Sequence, residues 1–174
     1  MNRDEPLPNH QLQKFVKKTL DLGAREAKII SPRKVETGIW VRLKCQFGCA
    51  SYGSSLMCPP YTPRPEETRQ MLDQYRKAIL FESPTANTKE IAAQMEREIF
   101  LAGYYKALGL GGGPCRLCQH CAFEKGCRHA EEARPAMEAC GIDVFATARK
   151  HGFTIKVLRN YREPQHYFGL ILIA

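Results

Sequence analysis

The chain has 174 residues, 44% of them hydrophobic and 25% charged, with a formal net charge of +8. That length carries one domain with a real core, and the composition is that of an ordinary soluble globular protein. No stretch approaches the roughly 18 apolar residues a membrane helix needs. The first ten residues, MNRDEPLPNH, are too polar and proline-bearing for a secretory signal, so the expected compartment is the cytoplasm. Disulfides are rarely stable there, and eight cysteines in such a chain point first to metal and second to catalysis at sulfur.

Leu12, Phe15, Val16 and Leu20 follow helical spacing, with Gly23 as a stop. In GIWVRLKC, Ile39, Val41, Leu43 and Cys45 alternate with Trp40, Arg42 and Lys44, which predicts a half-buried strand ending on a cysteine. Pro65 and two acids open a helix, with Met71, Leu72 and Tyr75 on one side, and AILF over 78–81 reads as a short buried strand. Asn87 and Glu90 resemble a capping box ahead of Ile91, Met95, Ile99 and Ala102, predicting a helix to about Leu108. A further helix is predicted from Arg134-Pro135 to near Gly152, its stripe formed by Met137, Cys140, Val144 and Ala148. FTIKVL and the terminal YFGLILIA close the chain as two strands. There is no internal repeat and no strict βαβ alternation. The expected fold is therefore a single compact α+β domain over 1–174, with a mixed sheet and two cysteine-rich loops near 45–60 and 111–130.

The downstream loop, GGGPCRLCQHCAFEKGCRH, holds Cys115-x2-Cys118-x2-Cys121 and then Cys127. A 4Fe–4S cubane offers four iron corners, each taking one thiolate, and a loop at this spacing wraps three of them. Bacterial-type ferredoxins continue such a run with x3-Cys-Pro; here the next cysteine follows five residues later without proline. Zinc is the rival, with Cys115, Cys118, Cys127 and His129 as a Cys3His set. Gly111, Gly112 and Gly113 would let backbone approach the site and aim N–H groups at anionic sulfur, or would simply form a connection. His120 and His129 otherwise read as hydrogen-bonding or surface residues. Upstream, CQFGCASYGSSLMCPPYTP supplies Cys45-x3-Cys49-x8-Cys58. Each triple lacks a fourth ligand, and Cys127 and Cys140 are the spares. Cys140 sits on an apolar stripe, where a plain buried cysteine is common. Cys127 completing the upstream site and Cys140 the downstream one is one pairing, and the reverse is the other. Either requires the loops around Cys58 and Cys115 to lie close together.

CQFGCASYGSSLMCPPYTPRPEET, AGYYKALGLGGGPCRLCQHC and CRHAEEARPAMEACGIDVFATARKHGF closely resemble the DUF2284 family of predicted metal-binding proteins, over nearly the whole chain beyond the first helix. All eight cysteines match the family's pattern. The resemblance implies a small cytoplasmic protein of anaerobes with cysteine-bound metal, iron–sulfur in kind, and it carries over no reaction.

The basic balance alone would suggest a polyanion partner. Two filled four-thiolate sites would lower it to about +4, and Arg116, Lys125, Arg128 and His129 beside the cysteines can offset that charge. No aromatic-basic stripe or nucleic-acid module is present, so nucleic acid is not the expected partner. Tyr104 and Tyr105 read as packing under a loop, and Glu98 as solvated. The expected function is an iron–sulfur protein, with two 4Fe–4S clusters held by Cys45, Cys49, Cys58, Cys115, Cys118, Cys121, Cys127 and Cys140, that carries electrons for a redox partner protein. Eight thiolates would close all eight iron corners. The alternatives are an enzyme with an open iron corner and a zinc-stabilised interaction module.

Overall fold

The computed structural model describes residues 8–160 and 162–174, so most of the N-terminal segment weighed above as a leader lies outside the described residues. Helix α1 (Asn9–Asp21) and strand β1 (Glu26–Ile30) lead into α2 (Ile39–Gly48) and α3 (Pro65–Asp73). Then come β2 (Ala78–Ser83), α4 (Thr88–Leu101), β3 (Leu108–Leu110), α5 (Val144–Lys150) and β4 (Tyr167–Leu172), with short 3₁₀ turns at Pro32–Lys34 and Glu138–Cys140. The strands form one sheet in the order β1-β2-β4-β3, and every pairing is antiparallel. The result is a single α+β domain, as expected, but its sheet is purely antiparallel rather than mixed.

The pleat sends alternate residues of the central strands into two separate cores. Ala78, Leu80, Phe168, Leu170 and Leu172 face a cluster with Leu72, Met137, Cys140, Ile142 and Phe153. Ile79, Phe81, Ile171 and Ile173 face the other, with Leu12 and Phe15 of α1 and Ile91, Met95 and Ile99 of α4. Each fully buried Leu, Ile, Met or Phe among them contributes about 1.5–3 kcal/mol of transfer free energy. The sheet is thus the middle of three layers. The cysteine loops lie outside it, on irregular backbone that the layers hold from behind.

Three local readings are corrected. GIWVRLKC is helix, not strand: of its apolar residues only Val41 is buried, while Ile39 is 64% and Trp40 48% exposed. The decisive contacts are one helical turn apart. Arg42 donates to the Ala139 carbonyl (2.9 Å), and the Cys45 thiol lies 4.0 Å from the Glu138 carbonyl. FTIKVL does bury Phe153 and Ile155, but it finds no ladder, because β4 is already paired on both edges by β2 and β3. The helix expected over 134–152 is broken by Gly141, whose left-handed backbone (φ +76°) separates the 3₁₀ turn from α5.

Helix α4 ends at Leu101 rather than Leu108, and Gly103 (φ +101°) turns the chain back toward β3. Asn87 does not cap it by its side chain. Its Oδ1 accepts instead from the hydroxyls of Ser83 (2.7 Å) and Thr85 (2.8 Å). Tyr104 packs edge-on to Phe15 and donates to Gln11 Oε1 (2.9 Å), whereas Tyr105 is 62% exposed and packs under nothing.

One ion pair fastens the second cysteine loop to the layers. Glu96 of α4 takes a bidentate fork from Arg134 (2.7 and 2.8 Å) and also accepts the Gly109 N–H (2.7 Å). Arg134 is 12% exposed and spends its remaining donors on the carbonyls of Ala130 and Ala133. Glu96→Gln keeps the shape but loses the charge-assisted fork, and is expected to cost about 1–3 kcal/mol. Urea denaturation of the two proteins reads that difference directly.

Candidate metal centre

The chain leaves β3 through Gly111, which exchanges backbone hydrogen bonds with the far end of the cysteine loop. Gly111 N–H donates to the Pro135 carbonyl (2.9 Å), and Met137 N–H donates to the Gly111 carbonyl (2.8 Å). Between these clamped ends the loop turns Cys115, Cys118, Cys121 and Cys127, all half-buried, onto one cavity of about 30 Å³. His129 lines it too, and residues 54–57 of the upstream loop close it. The Leu56 N–H donates to Cys121 Sγ at 3.4 Å, so the two cysteine loops touch, as sharing of the site demands. Cys127 lies with the downstream triple.

The glycines of this loop serve packing more than anion capture. A Cβ on Gly111 would lie 2.5 Å from Lys89 Cγ, so glycine is what lets the loop start rest on the first turn of α4. The N–H groups of Gly111 and Gly112 are spent on the Pro135 carbonyl and on Thr88 Oγ1 (2.8 Å), not on sulfur.

Upstream, Cys45 projects from the last turn of α2, Cys49 follows as its C-cap residue, and Cys58 is buried ahead of the cis Pro59-Pro60 bond. Burial pushes the Cys45 thiol up from its ordinary value; the charges of Cys49, Glu138 and Cys58 add to this, and Arg42 opposes it. Cys140 is different. It is 1% exposed within the first core, its carbonyl is held by Thr68 Oγ1 (2.7 Å), and burial pushes its thiol up to about 12. The charges acting on it are those of Arg42 and Glu138, with no other cysteine among them. In the folded, metal-free protein Cys140 is expected to be the last of the eight thiols alkylated by iodoacetamide, which peptide mass spectrometry can follow.

Two further groups belong to this region, and the sequence did not single them out. Lys89 Nζ and Glu138 Oε2 are enclosed without a hydrogen-bond partner, as is Ser55 Oγ on the cavity's edge. Burial lowers the Lys89 ammonium's affinity for its proton, while the charges of Cys115, Cys58 and Glu138 raise it again. Burial raises the Glu138 carboxyl, opposed by a backbone hydrogen bond and by Lys89. Lys89 and Glu138 therefore attract each other across the space between the cysteine groups without meeting in an ion pair. The unpartnered ammonium and carboxyl oxygen, with the thiols of Cys45, Cys58 and Cys115 near them, fit a bound metal group. Soft thiolates suit iron–sulfur clusters and zinc alike. Among the described residues, no three Cys, His, Asp or Glu side chains converge as ligands of one ion.

The remaining candidates are peripheral. Arg116, Lys125 and Arg128 are exposed, as is His120, whose carbonyl accepts from Arg128 (2.8 Å). No helix among the described residues is long and apolar enough to cross a membrane. All eight cysteines are free thiols.

No curated protein and no solved structure matches this chain. One family model does, that of the predicted metal-binding protein DUF2284. It matches residues 28–173, a span that takes in every cysteine described above, and the chain belongs to that family.

Proposed function

We propose that this protein is an iron–sulfur redox protein whose downstream site, held by Cys115, Cys118, Cys121 and Cys127, exchanges electrons with a partner protein. The observation that carries the reading is the ring of four cysteines around one cavity, with a second set of three thiols beside it. Zinc draws its ligands to one point at about 2.3 Å, whereas a cubane spreads its thiolates around a wider body. When bound, such a cluster takes up and releases single electrons.

The chain's own groups suit that task. The Leu56 N–H aimed at Cys121 Sγ stabilises a more negative sulfur, which favours the reduced state. Lys89, enclosed near Cys115 and Cys58, acts in the same direction. The exposed Arg116, Lys125 and Arg128 surround the loop with positive charge, which steers an acidic partner and weakens with salt.

A second reading has its own support: His129 lines the same cavity, so Cys115, Cys118, Cys127 and His129 could hold zinc as a structural Cys3His site. Protein reconstituted without oxygen separates the two. The expected result is a broad visible absorption that bleaches on reduction, with iron and acid-labile sulfide in equal amounts. Colourless protein carrying stoichiometric zinc and no sulfide would reject the iron–sulfur reading.

A further inference from the structure

We propose that Cys45, Cys49 and Cys58 bind a cluster whose fourth corner is the Glu138 carboxylate, leaving Cys140 a thiol of the core and one iron exchangeable. This rests on the iron–sulfur reading above and departs from the expectation that eight cysteines close every corner.

Cys45, Cys49 and Glu138 line one cleft, the Cys45 sulfur sits 4.0 Å from the Glu138 carbonyl, and Cys58 is the remaining thiol of the upstream loop. Cys140 is only two residues from Glu138, but its side chain points into the layer formed by Met137, Ile142 and Leu72. With Cys127 on the downstream cavity, no other thiol remains for the upstream triple.

Glu138 as a whole is half-buried, yet its Oε2 atom is enclosed and unpartnered. Leaving such an oxygen without a donor or a cation costs several kcal/mol. Lys89 lies near enough to attract it but does not touch it, and its own Nζ is equally unpartnered. A cluster between them satisfies both: an iron accepts the carboxylate oxygen, and the ammonium donates to cluster sulfur.

Carboxylate oxygen is a harder ligand than thiolate and holds a thiolate-bound iron less firmly. Glu138, Cys45 and Cys49 line one end of an open cleft of about 450 Å³, whose walls include Trp40, Phe145 and Tyr167. That volume is in the range of small-molecule sites. The exchangeable iron would therefore take an oxygen or nitrogen donor on a small, largely apolar molecule, displacing Glu138. The site would be a ligand-binding centre beside an electron-transfer centre.

The test uses the full chain, reconstituted anaerobically with iron and sulfide, with cyanide as the probe. In the reduced wild-type protein, cyanide is expected to change the electron paramagnetic resonance signal of one cluster and leave the other unaltered. Glu138→Cys should hold the same iron and sulfide but lose the response to cyanide. Cys140→Ala should match wild type in iron content and in response. Loss of one cluster's iron in Cys140→Ala, with Glu138→Gln unaltered, would assign the corner to Cys140 and overturn the proposal. Should Cys140→Ala not fold, a cyanide response retained in Glu138→Cys overturns it equally. Clusters present with an insensitive wild-type signal remove this proposal alone. Zinc without sulfide in the wild type removes the iron–sulfur reading, and this proposal with it.

Discussion

On the iron–sulfur reading, Cys121→Ala is expected to strip the downstream cluster and roughly halve the iron and acid-labile sulfide of the reconstituted protein. Cys121 is one of four cysteines on the cavity, and its sulfur also receives the Leu56 N–H from the opposing loop. Removing it deletes a thiolate and leaves that N–H facing no acceptor. Partners that merely orient a metal ligand are worth about 10–100-fold in affinity, so losing a ligand outright should exceed that range. The upstream signal should persist, because Cys45, Cys49 and Cys58 are untouched. Cys121→Ala with full iron and an unaltered spectrum would mean that the cavity is not a cluster site. A zinc site of Cys115, Cys118, Cys127 and His129 would predict that insensitivity, with zinc in place of iron.

Gly141→Ala is expected to destabilise the metal-free protein by about 2–5 kcal/mol. Two costs combine. Gly141 has a left-handed backbone, which costs an L-residue about 1–2 kcal/mol. An added Cβ would also lie 2.5 Å from Pro65 Cγ at the start of α3, and overpacking of that kind costs about 1–3 kcal/mol. For a chain of this size each kcal/mol lowers the melting temperature by about 2–4 °C, so a fall on the order of 10 °C should be measurable by circular dichroism. The Gly141 carbonyl accepts the Gly38 N–H (2.9 Å) at the entrance to α2, so strain here also shifts the helix bearing Cys45. Iron uptake at the upstream site should fall with stability. A fall of only a few degrees would show that α3 yields and that the left-handed backbone alone is felt, and no fall at all would contradict both costs.

The gathering of the downstream cysteines on one cavity was legible because it is written in their spacing. Cys115, Cys118, Cys121 and Cys127 fall within one short loop, and no packing rule asks for that. The sheet's centre was legible too, since AILF and YFGLILI are apolar on both faces and have helices to cover them. β1 and β3 were not: EAKII is half-polar and LGL is three residues long, so neither carries a periodic signal. Alternation misled at Ile39, Val41, Leu43 and Cys45, because over seven residues a two-residue period and a helical turn both put Val41 and Cys45 together. Lys89 and Glu138 were invisible for a deeper reason. Each sits where a charged residue normally meets water, and only the loop folded over Gly111 and the turn closed by Gly141 enclose them.

The clamp at the base of the cysteine loop bears on how the protein would age and recover. Gly111 is bridged to Ala136, and Arg134 is forked onto Glu96, so the ends of the loop are joined by protein contacts alone. Closing a long loop is an entropic cost, and here the fold meets it before any metal arrives. On the iron–sulfur reading, losing a cluster to oxygen should therefore loosen only the segment between the clamps, while the sheet and its two cores stay folded. Such a chain would be ready to be refilled, and a protease acting on the emptied form should cut first between Cys115 and Ala130.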